Sequence, residues 1–250
     1  GTFVTSLHDI YPAVRFKYIR NEYRRGAAHS RGVGVESCSS ELIMFGEDDA
    51  FLKEGYISAL ERMIVDGVAD IVSGRIIYLK KGEVTEAAEQ RFGCGVVGKK
   101  VFNEKMFCVE HDGYFEGDIE LPFTHALYMA KKDIVKSLGF DTFYSKAHGY
   151  REETDTQLKA YVEGLKIVQT NATRCFHFHR ADVRTGGQRI GRLTQFVYGV
   201  KYTNYMFGKY YDELGFSRGR RIAVWLFALA YFNRLFLMPF RNLFLRMVGK

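Results

Sequence analysis

Apolar and polar positions alternate along the chain in two different periods. Residues 14–19, VRFKYI, alternate with the period of two that a strand requires. Residues 42–45, LIMF, form a short apolar run that reads as a buried strand. In 56–64, YISALERMI, the residues Tyr56, Leu60, Met63 and Ile64 share one helical face. From Asp70 to Leu79, short apolar runs are broken by small and polar residues, and KKGE at 80–83 predicts a hairpin turn. Residues 84–120 carry no clear period. THALYMA at 124–130 predicts a strand, and KKDIVKSLG predicts a short helix stopped at Gly139. TDTQLKAYVEGL then predicts a helix with Leu158, Tyr161, Val162 and Leu165 on one face and with Thr154 or Asp155 as its cap. KIVQT at 166–170 and TRCFHFH at 173–179 read as strands. Strands and helices therefore alternate to about residue 180, the pattern of an α/β domain.

Beyond that point the pattern changes. Residues 180–250 hold 13 Lys or Arg against 3 Asp or Glu, a balance of +10, although the whole chain carries only +7. The basic character is thus confined to a tail, and residues 1–179 are slightly acidic. An apolar run from Ile222 to Phe232 is interrupted afterwards by Asn233, Arg234 and Pro239. Those 11 residues fall short of the ~20 that span a bilayer. Leucines, aromatics and arginines interleave as in an amphipathic helix lying on an anionic membrane surface. A nucleic-acid arm would be polar between its charges, so this composition excludes nucleic acid as the partner.

The four cysteines, at 38, 94, 108 and 175, fit no zinc or CxxC spacing and read as reduced thiols of a cytosolic protein. GCGVVG at 93–98 has the spacing of a dinucleotide-binding loop, but no buried strand precedes it and no amphipathic helix follows, so a dinucleotide enzyme is a minor reading. Three other places carry chemistry. The strand LIMF runs into Glu47-Asp48-Asp49. Alternation along an extended chain turns Glu47 and Asp49 to one side and Asp48 to the other. Two converging carboxylates call for a cation, and a hard divalent metal answers that need. Glu152, Glu153 and Asp155 cluster at a predicted helix start, where acids complement the dipole or supply a general base. His177 and His179 share one strand face, a spacing suited to metal or diphosphate.

The order of these three signals resembles family 2 glycosyltransferases of the GT-A fold. GAAHSRGVG resembles the family's glycine-arginine segment through Gly26, Arg31 and Gly34, with Gly32 at the family's Asn position. ELIMFGEDDAFL resembles the strand leading to the DXD-type motif, and HALYMAKKDIVKSLGFD the acceptor-side strand, helix and G-F-D segment. YREETDTQL resembles the E-D-x-D-L segment, with Glu153 where Asp is more usual. The resemblance covers residues 1–180 and implies a Rossmann-like mixed sheet flanked by helices, followed by the helical tail, 181–250. It also implies that the nucleotide-binding first strand of the domain lies upstream of Gly1-Thr2.

By this resemblance the chain transfers a sugar, with inversion, from a nucleotide-sugar donor to a glycan or lipid-linked acceptor, in envelope or extracellular polysaccharide synthesis. Asp49, with His177 or His179, would hold Mn²⁺ or Mg²⁺. Glu47, Asp48 and Arg31 would serve the donor and its diphosphate. Glu153 would be the general base, and Asp155 a helix cap. The tail would keep the enzyme cytoplasmic and peripheral to the membrane. The alternative is a catalytically incomplete fragment that serves as a membrane-associated binding module.

Overall fold

The computed structural model describes residues 2–146, 150–179, 182–183, 190–216 and 218–240. The His148-Gly149 pair of the second acidic segment and residues 241–250 of the tail lie outside it. The elements run α1 (Thr2–Ile10), α2 (Ala27–Ser37), β1 (Leu42–Met44), β2 (Ala50–Leu52), α3 (Tyr56–Val65), β3 (Ile71–Tyr78), α4 (Thr85–Phe92), β4 (Phe102–Asn103), β5 (Cys108–Val109) and β6 (Asp118–Glu120). They continue with β7 (Met129–Lys131), α5 (Lys132–Leu138), a 3₁₀ turn at Thr142–Ser145, α6 (Glu152–Val162), β8 (Ile167–His177), α7 (Arg192–Tyr210) and α8 (Arg220–Phe232).

One mixed sheet organises them in the order β1-β7-β3-β8-β2, with β6 also paired to β8. The central pair β3–β8 is parallel, and β1, β7, β2 and β6 join antiparallel. Helices cover both faces, which is why β3 is buried over nearly its whole length and shows no simple alternation in sequence. Alternation survives in where the side chains go. Ile71 and Ile167 pack with Val35, Val135 and Ala160 of α2, α5 and α6. Val72 and Val168 pack with Tyr56, Leu60 and Ile64 of α3. Helix α7 adds Met206 and Phe207 to a third cluster, with Phe107, Phe123 and Leu158.

The parallel register of β3 and β8 breaks between Gly74 and Arg75, where Gly74 faces Thr170 and Arg75 faces Arg174. Asn171–Thr173 of β8 therefore bulge. Gly74 is required there, because a Cβ would sit 2.4 Å from Tyr56 Cε2 and 2.9 Å from the Thr173 carbonyl oxygen. Arg75 is fully buried. It donates to Asn171 Oδ1 and to the carbonyls of Cys94 (2.8 Å), Gly113 (3.1 Å), His111 (3.3 Å) and Phe115 (3.4 Å). Phe115 and Phe92 stack against its guanidinium. Burial brings its pKa down to about 10, still a cation at neutral pH. Close by, His125 Nε2 donates to the Gly74 carbonyl (2.9 Å) and its Nδ1 accepts the Leu127 N–H (3.2 Å), which defines a neutral ring.

Several sequence expectations are corrected. VRFKYI is no strand: Val14, Tyr18 and Ile19 are exposed and pair with nothing in the sheet. KKGE does turn, with Glu83 N–H on the Lys80 carbonyl, but it leads into α4 and not into a hairpin strand. GCGVVG follows a helix, so the dinucleotide context fails. Gly95 is there because a Cβ would lie 2.3 Å from the Gly113 carbonyl oxygen. KIVQT and TRCFHFH are one strand, β8. The apolar tail does not stop at Asn233 and Arg234. The helix runs on through a π turn at Asn233–Leu237, so that Arg220–Phe240 is one helix of 21 residues, long and apolar enough to cross a membrane. The π turn contains Leu235, four residues before Pro239, whose carbonyl a proline cannot serve. Phe227 and Tyr231 dock α8 on the domain, while Ile222, Trp225, Leu229 and Phe232 are exposed. Gly199 of α7 admits the Tyr231 ring, since a Cβ there would lie 2.3 Å from Cε1.

Two outcomes follow from the packing. Arg75→Leu abandons several buried carbonyls, each costing about 1–3 kcal/mol; urea unfolding of the variant should show a loss of at least about 3 kcal/mol. Burial also pushes the His125 pKa down to about 4 from its ordinary 6.5. Between those values the unfolded chain binds the extra proton, so stability falls as pH drops through this window. Urea midpoints measured from pH 7 to pH 4 should fall less steeply for His125→Gln, which carries no titrating ring.

Candidate functional site

The acids after β1 stand at the C-terminal end of the sheet. β1 supplies the buried Ile43 and Phe45, and Phe45 is held at 4.8 Å from the Tyr128 ring. The chain then turns outward through Gly46 and returns as β2, antiparallel to the end of β8 with Ala50 opposite His177. The Phe178 N–H bonds to the Asp49 carbonyl at 2.8 Å. This pairing brings the three side chains together. His177 Nε2 lies 3.2 Å from Asp49 Oδ1 and 3.7 Å from Glu47 Oε2. The three ligand atoms lie within 4.8 Å of one another. Asp48 is exposed, at the turn that joins β1 to β2.

His177 Nδ1 lies 3.1 Å from the Phe178 carbonyl, an acceptor only, so Nδ1 carries the proton. Nε2 points the other way, toward the two carboxylates, so that the imidazole edge and both acids face one small volume. Two carboxylate oxygens and one imidazole nitrogen at this spacing form a donor set that could hold a divalent metal ion. The hydrogen bond at Nδ1 is the usual second support of a metal-binding imidazole. Burial is the main cause that raises the Glu47 pKa, with Asp49 and Glu153 adding to it and His177 and Arg31 opposing it.

Glu153 is half-buried in the first turn of α6, near enough for its charge to help raise the pKa of Glu47. Its neighbour Glu152 is 5% exposed, with Oε2 lacking a hydrogen-bond partner and Arg31 Nε 4.0 Å from Oε1. Burial first, and the Glu153 charge second, push the Glu152 carboxyl strongly toward its protonated form. Arg31, on α2 and over the Phe45 ring at 5.4 Å, thus lies beside the start of α6 and stabilises charge on both Glu152 and Glu47.

Not every expected residue joins this group. His179 lies two residues past the end of β8 and is exposed, and the cluster of possible ligands among the described residues is Glu47, Asp49 and His177. Asp155 is no cap. The helix begins earlier, after Arg151, and Asp155 accepts from Lys209 Nζ (2.6 Å) and Tyr144 Oη (2.7 Å), tying α6 to α7. Arg151 itself has φ 83, a left-handed conformation that costs a non-glycine residue about 1–3 kcal/mol.

Sequence reasoning missed Tyr78 and His111. Tyr78, at the end of β3, stacks on His177 with centroids 4.7 Å apart, and the tilted His111 ring lies 5.0 Å from it. Nothing in the one-letter pattern marks either. Burial holds His111 neutral, with its pKa down to about 3.

The solved structures most informative for the fold are glycosyltransferases. GalNAc-T7, crystallised with UDP, GalNAc and Mn²⁺, is 14% identical with a TM-score of 0.54, over 83% of this chain and 41% of that one. Residues 1–349 of Staphylococcus aureus TarS with UDP-GlcNAc are 12% identical with a TM-score of 0.53, over 92% of this chain and 60% of that one. The chain thus spans less than two thirds of either protein, and at such identities the likeness establishes a GT-A-like fold alone. No curated protein sequence matches the chain. The model of the family described as glycosyl transferase family 2 matches residues 6–139, more than half of the sequence. The chain belongs to glycosyl transferase family 2.

Proposed function

We propose that this chain transfers a sugar, with inversion, from a nucleotide-diphosphate sugar to an acceptor hydroxyl. The convergence of Glu47, Asp49 and His177 beside the start of α6 is the observation that carries the reading. Those three residues would hold Mn²⁺ or Mg²⁺, which when bound supplies positive charge to a diphosphate leaving group. His179 is a further candidate ligand, and Asp48 and Arg31 serve the donor side. Glu153 takes the proton of the acceptor hydroxyl as its oxygen bonds to the anomeric carbon and the bond to the nucleotide diphosphate breaks. A single displacement of this kind inverts the carbon and needs no protein nucleophile. Glu152, pushed toward its protonated form, leaves the start of α6 with less acidic charge beside the base.

On this reading residues 1–180 carry the transfer chemistry, and residues 181–250 hold the enzyme at the cytoplasmic face of a membrane. The exposed stripe Ile222, Trp225, Leu229 and Phe232, with Arg220 and Arg221 at its start, supports contact with anionic lipid. A glycan or lipid-linked acceptor in envelope or extracellular polysaccharide synthesis fits that location.

Calorimetric titration of UDP and GDP with and without Mn²⁺ tests the donor site. Metal-dependent binding is expected for one of them, and Asp49→Ala should abolish it. Absence of binding in every condition would favour the non-catalytic binding module. Flotation with phosphatidylglycerol vesicles tests the tail: the chain should float, and Trp225→Ser combined with Leu229→Ser should not. Equal flotation of both would remove the membrane contact from this face.

A further inference from the structure

We propose that Arg151 is a positioning residue for Glu153, and that the apolar helix α8 holds it in place through Phe227. The inference rests on the reading of Glu153 as the base. It joins the last helix of the described chain to the chemistry, and not only to the membrane.

Among the described residues, two other than glycine have positive φ: Arg151 at 83° and Phe107 at 44°. They are bonded to each other. Arg151 Nη1 donates to the Phe107 carbonyl at 2.6 Å, and Nη2 to the Met106 carbonyl at 3.2 Å. Both unfavourable conformations of the chain thus meet at one hydrogen-bonded junction. Such conformations persist only where their surroundings over-determine them.

The surroundings here are aromatic. The Arg151 guanidinium lies 4.7 Å from the Tyr150 ring, 5.5 Å from Phe227 and 5.8 Å from Phe107. Phe227 is fully buried, and with Tyr231 and Met106 it closes the side of the junction that faces α8. A guanidinium between ring faces gains cation–π attraction that rises as water is excluded. Removing Phe227 opens that side.

What the junction positions is the first turn of α6. No side chain caps this helix. Its first bond instead runs from the Asp155 N–H to the Arg151 carbonyl at 2.8 Å. Glu152 and Glu153 lie between those two residues. The direction in which Glu153 leaves the backbone therefore follows from the left-handed turn at Arg151, and that turn is clamped by its own side chain. A displacement of about 1 Å at a reacting group costs roughly a hundredfold in rate, so a loose clamp is felt in turnover.

Arg151→Gly separates the clamp from the backbone, because glycine adopts φ 83 without strain and has no guanidinium. Phe227→Ala loosens the clamp from the α8 side and leaves Arg151 intact. Three measurements on the full chain decide: Mn²⁺-dependent UDP affinity, UDP release from UDP-glucose, UDP-galactose and UDP-N-acetylglucosamine, and amide hydrogen exchange across residues 152–156. Both variants should keep the UDP affinity of the parent, lower kcat of UDP release roughly ten- to a hundredfold, and speed exchange at the start of α6 while β3 and β8 stay protected. Unchanged turnover and exchange in Arg151→Gly would overturn the proposal. Loss of UDP binding together with turnover would overturn it too, since the role would then be general folding. If the parent chain releases no UDP from any donor, the sugar-transfer reading fails on its own account, and the exchange measurement alone decides whether α8 governs the start of α6.

Discussion

A buried arginine in the middle of a sheet sets the terms for everything around it. Arg75 stands on the central strand β3, where a charge without partners would be excluded. It is tolerated because the chain after α4 loops back and presents the carbonyls of Cys94, His111, Gly113 and Phe115 to it. The excursion of residues 93–116, otherwise short of regular structure, is organised by that one cation. The same contacts set His111 in place, His111 flanks Tyr78, and Tyr78 stacks on His177. The floor of the acidic site is thus continuous with the pin at its centre. The β8 bulge belongs to the same arrangement, because Asn171 can reach Arg75 only where the register breaks.

The site itself is a problem in like charges. Glu47, Asp49, Glu152 and Glu153 come from two separate stretches of sequence and meet near one imidazole and one guanidinium. The fold solves part of this by burial, which together with the Glu153 charge pushes the Glu152 carboxyl toward its protonated form. Glu47 and Asp49 converge on His177, whose Nδ1 bonds to the Phe178 carbonyl. The negative potential left over is fixed by the sheet and would already be in place for a cation. Such preorganisation is where electrostatic catalysis draws its strength.

How much of this could be read in the sequence depended on locality. The run of LIMF into Glu47-Asp48-Asp49 announces a buried strand ending in acids, whereas the separation of Asp48 from its neighbours, expected from alternation, comes from a turn at 48–49. The helices at 56–65 and 132–138 were legible because their faces or their glycine stop are local. VRFKYI misled because alternation cannot reveal whether a partner strand exists. Asp155 misled because an acid at a helix start looks the same whether it caps the helix or faces Lys209, which is 54 residues away. Arg75 reads as punctuation in an apolar stretch, since its partners come 19 to 96 residues later. Tyr78 and His111 matter through stacking, which leaves no spacing. In the tail, the polar Asn233 and Arg234 broke the apolar run short of a bilayer's span, yet the helix continues through them. A π turn carries the backbone past them, and the one-letter pattern has no mark for it.

Gly199 has one further implication. A segment that served only to sit in oil would need apolarity and length, and any sequence with both would do. Tyr231 instead fits where α7 has no side chain at all. The apolar helix is therefore keyed to this domain as a tooth to a notch. A borrowed helix of equal hydrophobicity would leave the notch unfilled. The last helix of the described chain belongs to the architecture of the protein, whatever else its outer face meets.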